Sequence, residues 1–105
     1  MTRQQQTKTS FGQFMRSLRQ KLDEPLRVVA AAVEIDSTLL SRIERGERFP
    51  TDEQLARFAR FFKIPAEELK GRVIADRVTA ECDSAALQHA AQILHRRAAS
   101  AKATA

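Results

Sequence analysis

Three arginines, Arg42, Arg45 and Arg48, recur every three residues in the stretch SRIERGERFP. A guanidinium is a permanent cation whose planar fork of donors suits phosphate oxygens and guanine edges. Gly46 follows the second arginine, and a glycine there easily enters the left-handed conformation that ends a helix. The stretch therefore predicts the end of a helix that buries one face, at Ile43, and offers its other face to an anionic partner.

The charge of the whole chain also favours a polyanionic partner. The net charge is +5 over 105 residues, and the pI is near 10.1. Residues 1–22 hold five bases and no acid, residues 23–83 hold ten bases and thirteen acids, and residues 84–105 hold three bases. The positive charge thus lies mostly in the flanks. Such a charge suits binding to nucleic acid, but it is also common in proteins that are merely soluble.

Composition disfavours several other classes of protein. The apolar fraction of 43% is sufficient for one compact domain with tails. No apolar run approaches the ~18 residues of a membrane span, and the first ten residues lack the apolar stretch of a secretory signal. The single cysteine, Cys82, permits no internal disulfide. Since no zinc-site spacing, nucleophile–base set or phosphate-binding glycine loop is visible, we predict a cytoplasmic, non-enzymatic protein without metal or cofactor.

Apolar residues recur at helical spacing along the chain, and no segment alternates as a strand does, so we predict an all-α fold. Two capping boxes, Ser10 with Gln13 and Thr51 with Gln54, mark helix starts. The predicted helices span about 11–22, 25–33, 37–45, 52–62, 65–80 and 85–98.

The stretch PLRVVAAAVEIDSTLLSRIERG resembles the helix-turn-helix of the lambda-repressor-like, Xre-type family of DNA-binding proteins. Ala30 is small where the two helices cross, a short turn follows at 34–36, and Leu40 and Ile43 pack back onto the first helix of the pair. The stretches SRIERGERFPT and LARFARFFKIPAEEL are similar to the same family, and the resemblance covers about 11–70. It implies an all-α, five-helix lambda-repressor-like DNA-binding domain, to which this chain adds a C-terminal helix.

The resemblance also implies which residues meet DNA. Bases are expected to be read by Ser37, Thr38, Leu39 and Arg42, and the DNA backbone to be held by Arg27, Ser41, Arg45 and Arg48. Simpler roles stay open for some of these side chains. Ser37 is a possible helix cap, Leu39 a half-buried core residue and Arg45 a charge that neutralises a helix end. Arg27 and Arg48 are alternatively solvated surface charges.

Two further residues have structural roles by the same resemblance. Arg19 and Glu44 occupy the places of a partly buried ion pair that joins the first helix to the end of the third. The turn between helices 2 and 3 carries Glu34 where the family usually has glycine, so the turn is expected to be wider or mildly strained. Pro25-Leu26 replaces the glutamine with which many members begin the second helix, and Arg27 is a plausible substitute for its contact with DNA.

Four segments follow from this organisation: a flexible arm at 1–9, the helix-turn-helix domain at 10–82, a C-terminal helix at 83–98 and a flexible tail at 99–105. The C-terminal helix has a stripe of small and apolar residues suited to close helix packing, comprising Leu87, Ala90, Ala91 and Leu94. This helix is expected to dimerise, to fold back on its own domain or to bind a partner.

The leading hypothesis is therefore a sequence-specific regulator that binds double-stranded DNA as a homodimer. It would act as a repressor, reading a palindromic operator through the third helix in the major groove. The alternative is an antitoxin that neutralises a small toxin through its C-terminal helix and regulates its own operon. The fold cannot separate the two, since function resides in the site and not in the fold.

Overall fold

A computed structural model describes residues 10–104, with side chains for residues 10–101. This part of the chain is all α-helical, as predicted, and contains no β-strand. Its helices are α1 Phe11–Lys21, α2 Leu26–Ala32, α3 Ser37–Glu44, α4 Asp52–Phe62, α5 Ala66–Glu81 and α6 Ser84–Thr104. The flexible arm predicted at residues 1–9, and the final Ala105, lie outside the described residues.

Side-chain caps fix where α1 and α4 begin. The Ser10 hydroxyl accepts a hydrogen bond from the Gln13 amide at 3.2 Å, and the Gln13 side chain accepts one from the Ser10 amide at 3.3 Å. Thr51 and Gln54 repeat this exchange at 3.1 and 3.0 Å. Both predicted capping boxes are therefore confirmed, and each satisfies amides that the first turn of a helix leaves unpaired.

Left-handed residues follow the ends of the first four helices. They are Asp23, Glu34, Gly46 and Lys63. At Glu34, where φ is 63°, the helix α2 closes with a bond from the Ile35 amide to the Ala30 carbonyl at 2.9 Å. Of the two geometries expected for this turn, the structure has the strained one. The left-handed conformation costs a residue with a Cβ roughly 1–2 kcal/mol.

The core lies within the first 74 residues. Phe58 is fully buried and meets Phe11 edge to face, with ring centroids 6.5 Å apart. The buried apolar residues are Phe11, Met15, Val29, Ala30, Val33, Leu40, Ile43, Leu55, Phe58, Ala59, Leu69 and Val73. The sequence placed Ala30 at the helix crossing and Leu40 and Ile43 against the first helix of the pair, and all three are buried. Leu22, the last residue of the predicted first helix, lies just past the end of α1 and is 51% exposed.

Gly12 allows α1 to approach α3 unusually closely. A Cβ added at Gly12 would lie 2.6 Å from the Glu44 carbonyl oxygen and closer still to that of Ile43. Real Cβ atoms do not approach backbone oxygens so closely, so any larger residue would push the two helices apart. The first turn of α1 therefore rests directly on the last turn of α3.

The C-terminal part differs from its prediction. The described residues fall into two compact units, and the boundary between the units lies between Ile74 and Ala75, inside α5. The sequence suggested a boundary after residue 82. Asp83 caps α6 by accepting from the Ala86 amide at 3.0 Å. The helix then continues to Thr104, so the predicted end at 98 is wrong, and the helix enters the segment 99–105 that the sequence assigned to a flexible tail. The alanines of this stretch have the highest helix propensity, which explains the extension.

Gly12→Ala should destabilise the fold by about 1–3 kcal/mol, because the new methyl group meets backbone that cannot rotate away. Urea unfolding followed by circular dichroism measures this loss. Gly71→Ala is the matched control: a Cβ at Gly71 meets nothing within 4 Å, and the site lies inside α5. That variant should gain roughly 0.5–1 kcal/mol. Equal effects of the two substitutions would contradict the close approach at Gly12.

Candidate nucleic-acid interface

The helix α3 begins at Ser37 because Asp36 caps it. The Asp36 carboxylate accepts a hydrogen bond from the Leu39 amide at 2.7 Å, and the Asp36 backbone is extended. The sequence left Ser37 as a possible cap, and the structure gives this role to Asp36. The Ser37 side chain is therefore not used as a cap, and it is exposed at the start of the helix.

The two faces of α3 differ sharply in burial. Leu40 and Ile43 are each 1% exposed and belong to the core, as predicted. Thr38 and Arg42 are exposed on the other face. Leu39 lies between the faces: it is partly buried and packs against the core, so only part of its side chain is available to a partner. Polar groups thus dominate the accessible face.

An ion pair joins α1 to the C-terminal turn of α3. Arg19 Nε and Nη2 donate to the two carboxylate oxygens of Glu44 at 2.7 and 3.0 Å, and Nη1 donates to the Glu24 carbonyl at 3.0 Å. The two side chains are 12% and 6% exposed. The hydrogen bond to Glu44 raises the pKa of Arg19, outweighing the opposite effect of burial. Because Glu44 is engaged in this pair, it does not repel a polyanion outside.

The chain reverses after α3 through hydrogen bonds that surround Gly46. The Gly46 amide donates to the Ile43 carbonyl at 3.0 Å, and the Glu47 amide donates to the Arg42 carbonyl at 2.9 Å. Gly46 has a φ of 79°, so the pattern is the Schellman motif with glycine in the left-handed position. This reversal brings the side chain of Glu47 back to that of Arg45, two residues earlier.

Arg45 is held by partners on both sides. Its Nη1 donates to the Ser41 hydroxyl at 2.7 Å, while Nε and Nη2 donate to the carboxylate of Glu47 at 2.8 and 3.2 Å. Two expected DNA-backbone contacts, Ser41 and Arg45, are thus joined in one network. Glu47 was not among the residues predicted for the site. Its only signal in the sequence is an acid two residues after an arginine, across a glycine.

Arg27 and Arg48 differ from Arg45 in that no acidic residue described by the structure binds their guanidinium groups. Arg27 lies in the first turn of α2, and Arg48 lies in the loop after α3. Both are exposed, and neither forms an ion pair with a residue that the structure describes. Their guanidinium groups are therefore available to phosphate.

A second unpredicted contact supports the turn between α2 and α3. Arg57 of α4 lies 3.9 Å from the Glu34 carboxylate and 3.1 Å from that of Glu53. The Arg57 side chain is 22% exposed, whereas Glu34 is 71% exposed. An exposed pair of this kind contributes little to the free energy of folding, so it adds little to the stability of the turn.

Other kinds of site are not apparent over residues 10–104. No group of three or more His, Cys, Asp or Glu residues there is arranged to hold a metal ion. Over the same residues, none of the helices combines the length and the apolar character needed to cross a bilayer.

A family model described as a helix-turn-helix domain matches residues 10–70. The chain belongs to the helix-turn-helix domain family. Among solved structures, it is similar to the crystal structure of the clp gene regulator ClgR from Corynebacterium glutamicum, with a TM-score of 0.54 and 26% sequence identity. The similarity covers 85% of this chain and 86% of that one. No curated protein matches the sequence significantly. The family expected from the sequence and its all-helical fold are thereby confirmed.

Glu44→Ala should destabilise the domain by about 3 kcal/mol, because it leaves the largely buried Arg19 guanidinium without its counter-charge. Chemical denaturation measures the loss. Glu53→Ala is the control, since it removes a carboxylate that is 79% exposed from a pair within α4. That change should cost about 0.5 kcal/mol or less. Similar losses for both variants would show that the Arg19–Glu44 pair is no stronger than a surface pair.

Proposed function

We propose that this chain is a transcriptional regulator that binds double-stranded DNA by placing α3 in the major groove. Its family and its similarity to the regulator ClgR support this class of function. The observation that carries the proposal is the division of α3 into a buried face at Leu40 and Ile43 and a polar, exposed face at Thr38 and Arg42. A major groove about 12 Å wide admits such a helix.

The side chains of the exposed face suit contacts with base edges. Arg42 is assigned to a bidentate contact with guanine, and the methyl group of Thr38 to thymine. Ser37 donates or accepts at the first base pair, since its hydroxyl is not used as a cap. Leu39 contributes an apolar edge only, because the rest of its side chain packs against the core. Arg27, Ser41, Arg45 and Arg48 are assigned to phosphates.

A homodimer would give this short reading surface its specificity. One α3 reads about three or four base pairs, whereas two copies related by a two-fold axis read two half-sites roughly 34 Å apart. The long helix α6 is the proposed contact between copies. Its apolar stripe consists of Leu87, Ala90, Ala91 and Leu94. The last three are exposed, Leu94 by 61%, so they are accessible to a second copy. The dimer would repress by occupying a promoter.

Selection of bound duplexes from a random library tests the recognition and its symmetry together. We expect a palindromic consensus, and we expect Arg42→Ala to lose roughly 1–3 kcal/mol of binding free energy while relaxing preference at one position. Arg60→Ala removes another exposed arginine, from the last turn of α4, and is the control. A selection that returns no consensus, or a preference that survives Arg42→Ala unchanged, would contradict base reading by α3.

Leu94→Arg should convert the dimer to a monomer, because it places a charge in the middle of the proposed helix contact. Sedimentation velocity of the full chain measures the change. Gln92→Arg adds the same charge about 160° around α6 and should leave the dimer intact. A wild-type chain that is monomeric throughout would exclude this dimer. A stable complex with a different small protein through α6 would instead favour the antitoxin hypothesis.

A further inference from the structure

We propose that Glu47 competes with DNA phosphate for Arg45 and so restrains the affinity of this surface for DNA of any sequence. The inference rests on the proposed function, and adds to it a residue that limits binding. Glu47 is unsuited to touch DNA itself, since a carboxylate and a phosphate repel each other. Its effect would come from occupying the Arg45 guanidinium, which is then not available to phosphate.

The competition follows from the donors of Arg45. Glu47 accepts from Nε and Nη2, a fork of two donors with which an arginine can bind a phosphate bidentately. The remaining nitrogen, Nη1, donates to Ser41. Every nitrogen of the guanidinium thus has a partner within the protein. A phosphate can use the fork only after the carboxylate has left it.

The backbone conformation of the loop places Glu47 next to Arg45. Glu47 is two residues from Arg45, and its side chain returns to the arginine because Gly46 reverses the chain in the left-handed conformation. The hydrogen bond from the Glu47 amide to the Arg42 carbonyl holds that reversal. The carboxylate therefore stays close to the fork even when the ion pair opens.

The pair is also accessible to an incoming phosphate. The side chains of Arg45 and Glu47 are 54% and 52% exposed, so no packing has to be broken for the guanidinium to exchange partners. An exposed pair is weak and is screened by salt. The restraint is therefore expected to be reversible and to weaken as the salt concentration rises.

Glu47 also affects the assigned base-reading arginine. The hydrogen bond from Arg45 is the main cause that lowers the pKa of Glu47; its burial acts in the opposite direction, and the charges of Arg45 and Arg42 lower the pKa further. Glu47 is therefore ionised at neutral pH. Its negative charge reduces the positive potential at Arg42 as well as at Arg45, which makes the whole face less attractive to a polyanion.

Glu47→Gln tests the proposal, because it removes the charge and keeps the shape. Fluorescence anisotropy of the full chain would use two duplexes, the selected consensus and a scrambled sequence of the same composition. At about 0.1 M salt we expect roughly five- to tenfold tighter binding of both duplexes, with a salt slope steeper by about 0.9, as for one more neutralised phosphate. The gain should fade as the salt approaches about 1 M.

Two controls isolate the effect of the Arg45–Glu47 pair from a general change of charge. Glu67→Gln removes one negative charge from an exposed residue of α5, and should change affinity less than twofold. In an Arg45→Ala background, Glu47→Gln should lose most of its effect, because the cation it withholds is gone. Thermal melting checks that all variants fold equally.

The possible results separate the inference from the proposed function. If the wild-type chain binds neither duplex, the proposed function fails. If the wild-type chain binds, the proposed competition is contradicted by either of two results. One is that Glu47→Gln changes the affinity no more than Glu67→Gln does, and the other is that Glu47→Gln has the same effect in the Arg45→Ala background. Weaker binding by Glu47→Gln would also overturn the inference, since it would mean that Glu47 positions Arg45 for DNA.

Discussion

The position of α3 depends on how α1 holds its C-terminal turn. Gly12 lets the backbone of α1 lie against the carbonyl oxygens of Ile43 and Glu44. Arg19 then binds Glu44 with two hydrogen bonds and the Glu24 carbonyl with a third. Both contacts act at one end of α3. At its other end, Ser37 and Thr38 are exposed, while Leu39 and Leu40 pack against the core.

The backbone strain at two turns is offset because the apolar residue that follows each strained residue packs against the core. Glu34 and Lys63 adopt the left-handed conformation although neither is glycine, at roughly 1–2 kcal/mol each. The residues that follow them, Ile35 and Ile64, pack against the core and are partly buried. Full burial of such a side chain contributes about 1.5–3 kcal/mol, so partial burial is comparable with the strain. The short turn before α3 is thus kept by Ile35 and not by the preference of Glu34.

Much of this fold could be predicted from the sequence, because helical periodicity and capping residues are local signals. Positions such as Leu40 and Ile43 follow from spacing alone. The role of Gly12 could not be predicted, since nothing near a glycine in the sequence identifies the backbone it will meet thirty or so residues away. The partner of Arg45 was missed for a different reason: it depends on the reversal at Gly46, and spacing along a helix does not describe a chain that leaves the helix. Helix α6 was predicted too short because alanine carries no apolar pattern to follow.

Three acidic residues of the central segment are paired within the protein, and this affects which donors stay available to a polyanion. Glu44 is neutralised by Arg19, Asp36 caps α3, and Glu47 is paired with Arg45. Each of these three acids therefore has a partner within the protein, and the partner of Glu47, Arg45, is one of the residues assigned to phosphate. Since non-specific affinity grows with the number of phosphates neutralised, the pairing of Arg45 would, under the proposed function, lower the affinity for random DNA. Base contacts and a second copy would then contribute a larger share of the affinity, and this favours a regulator that occupies few sites.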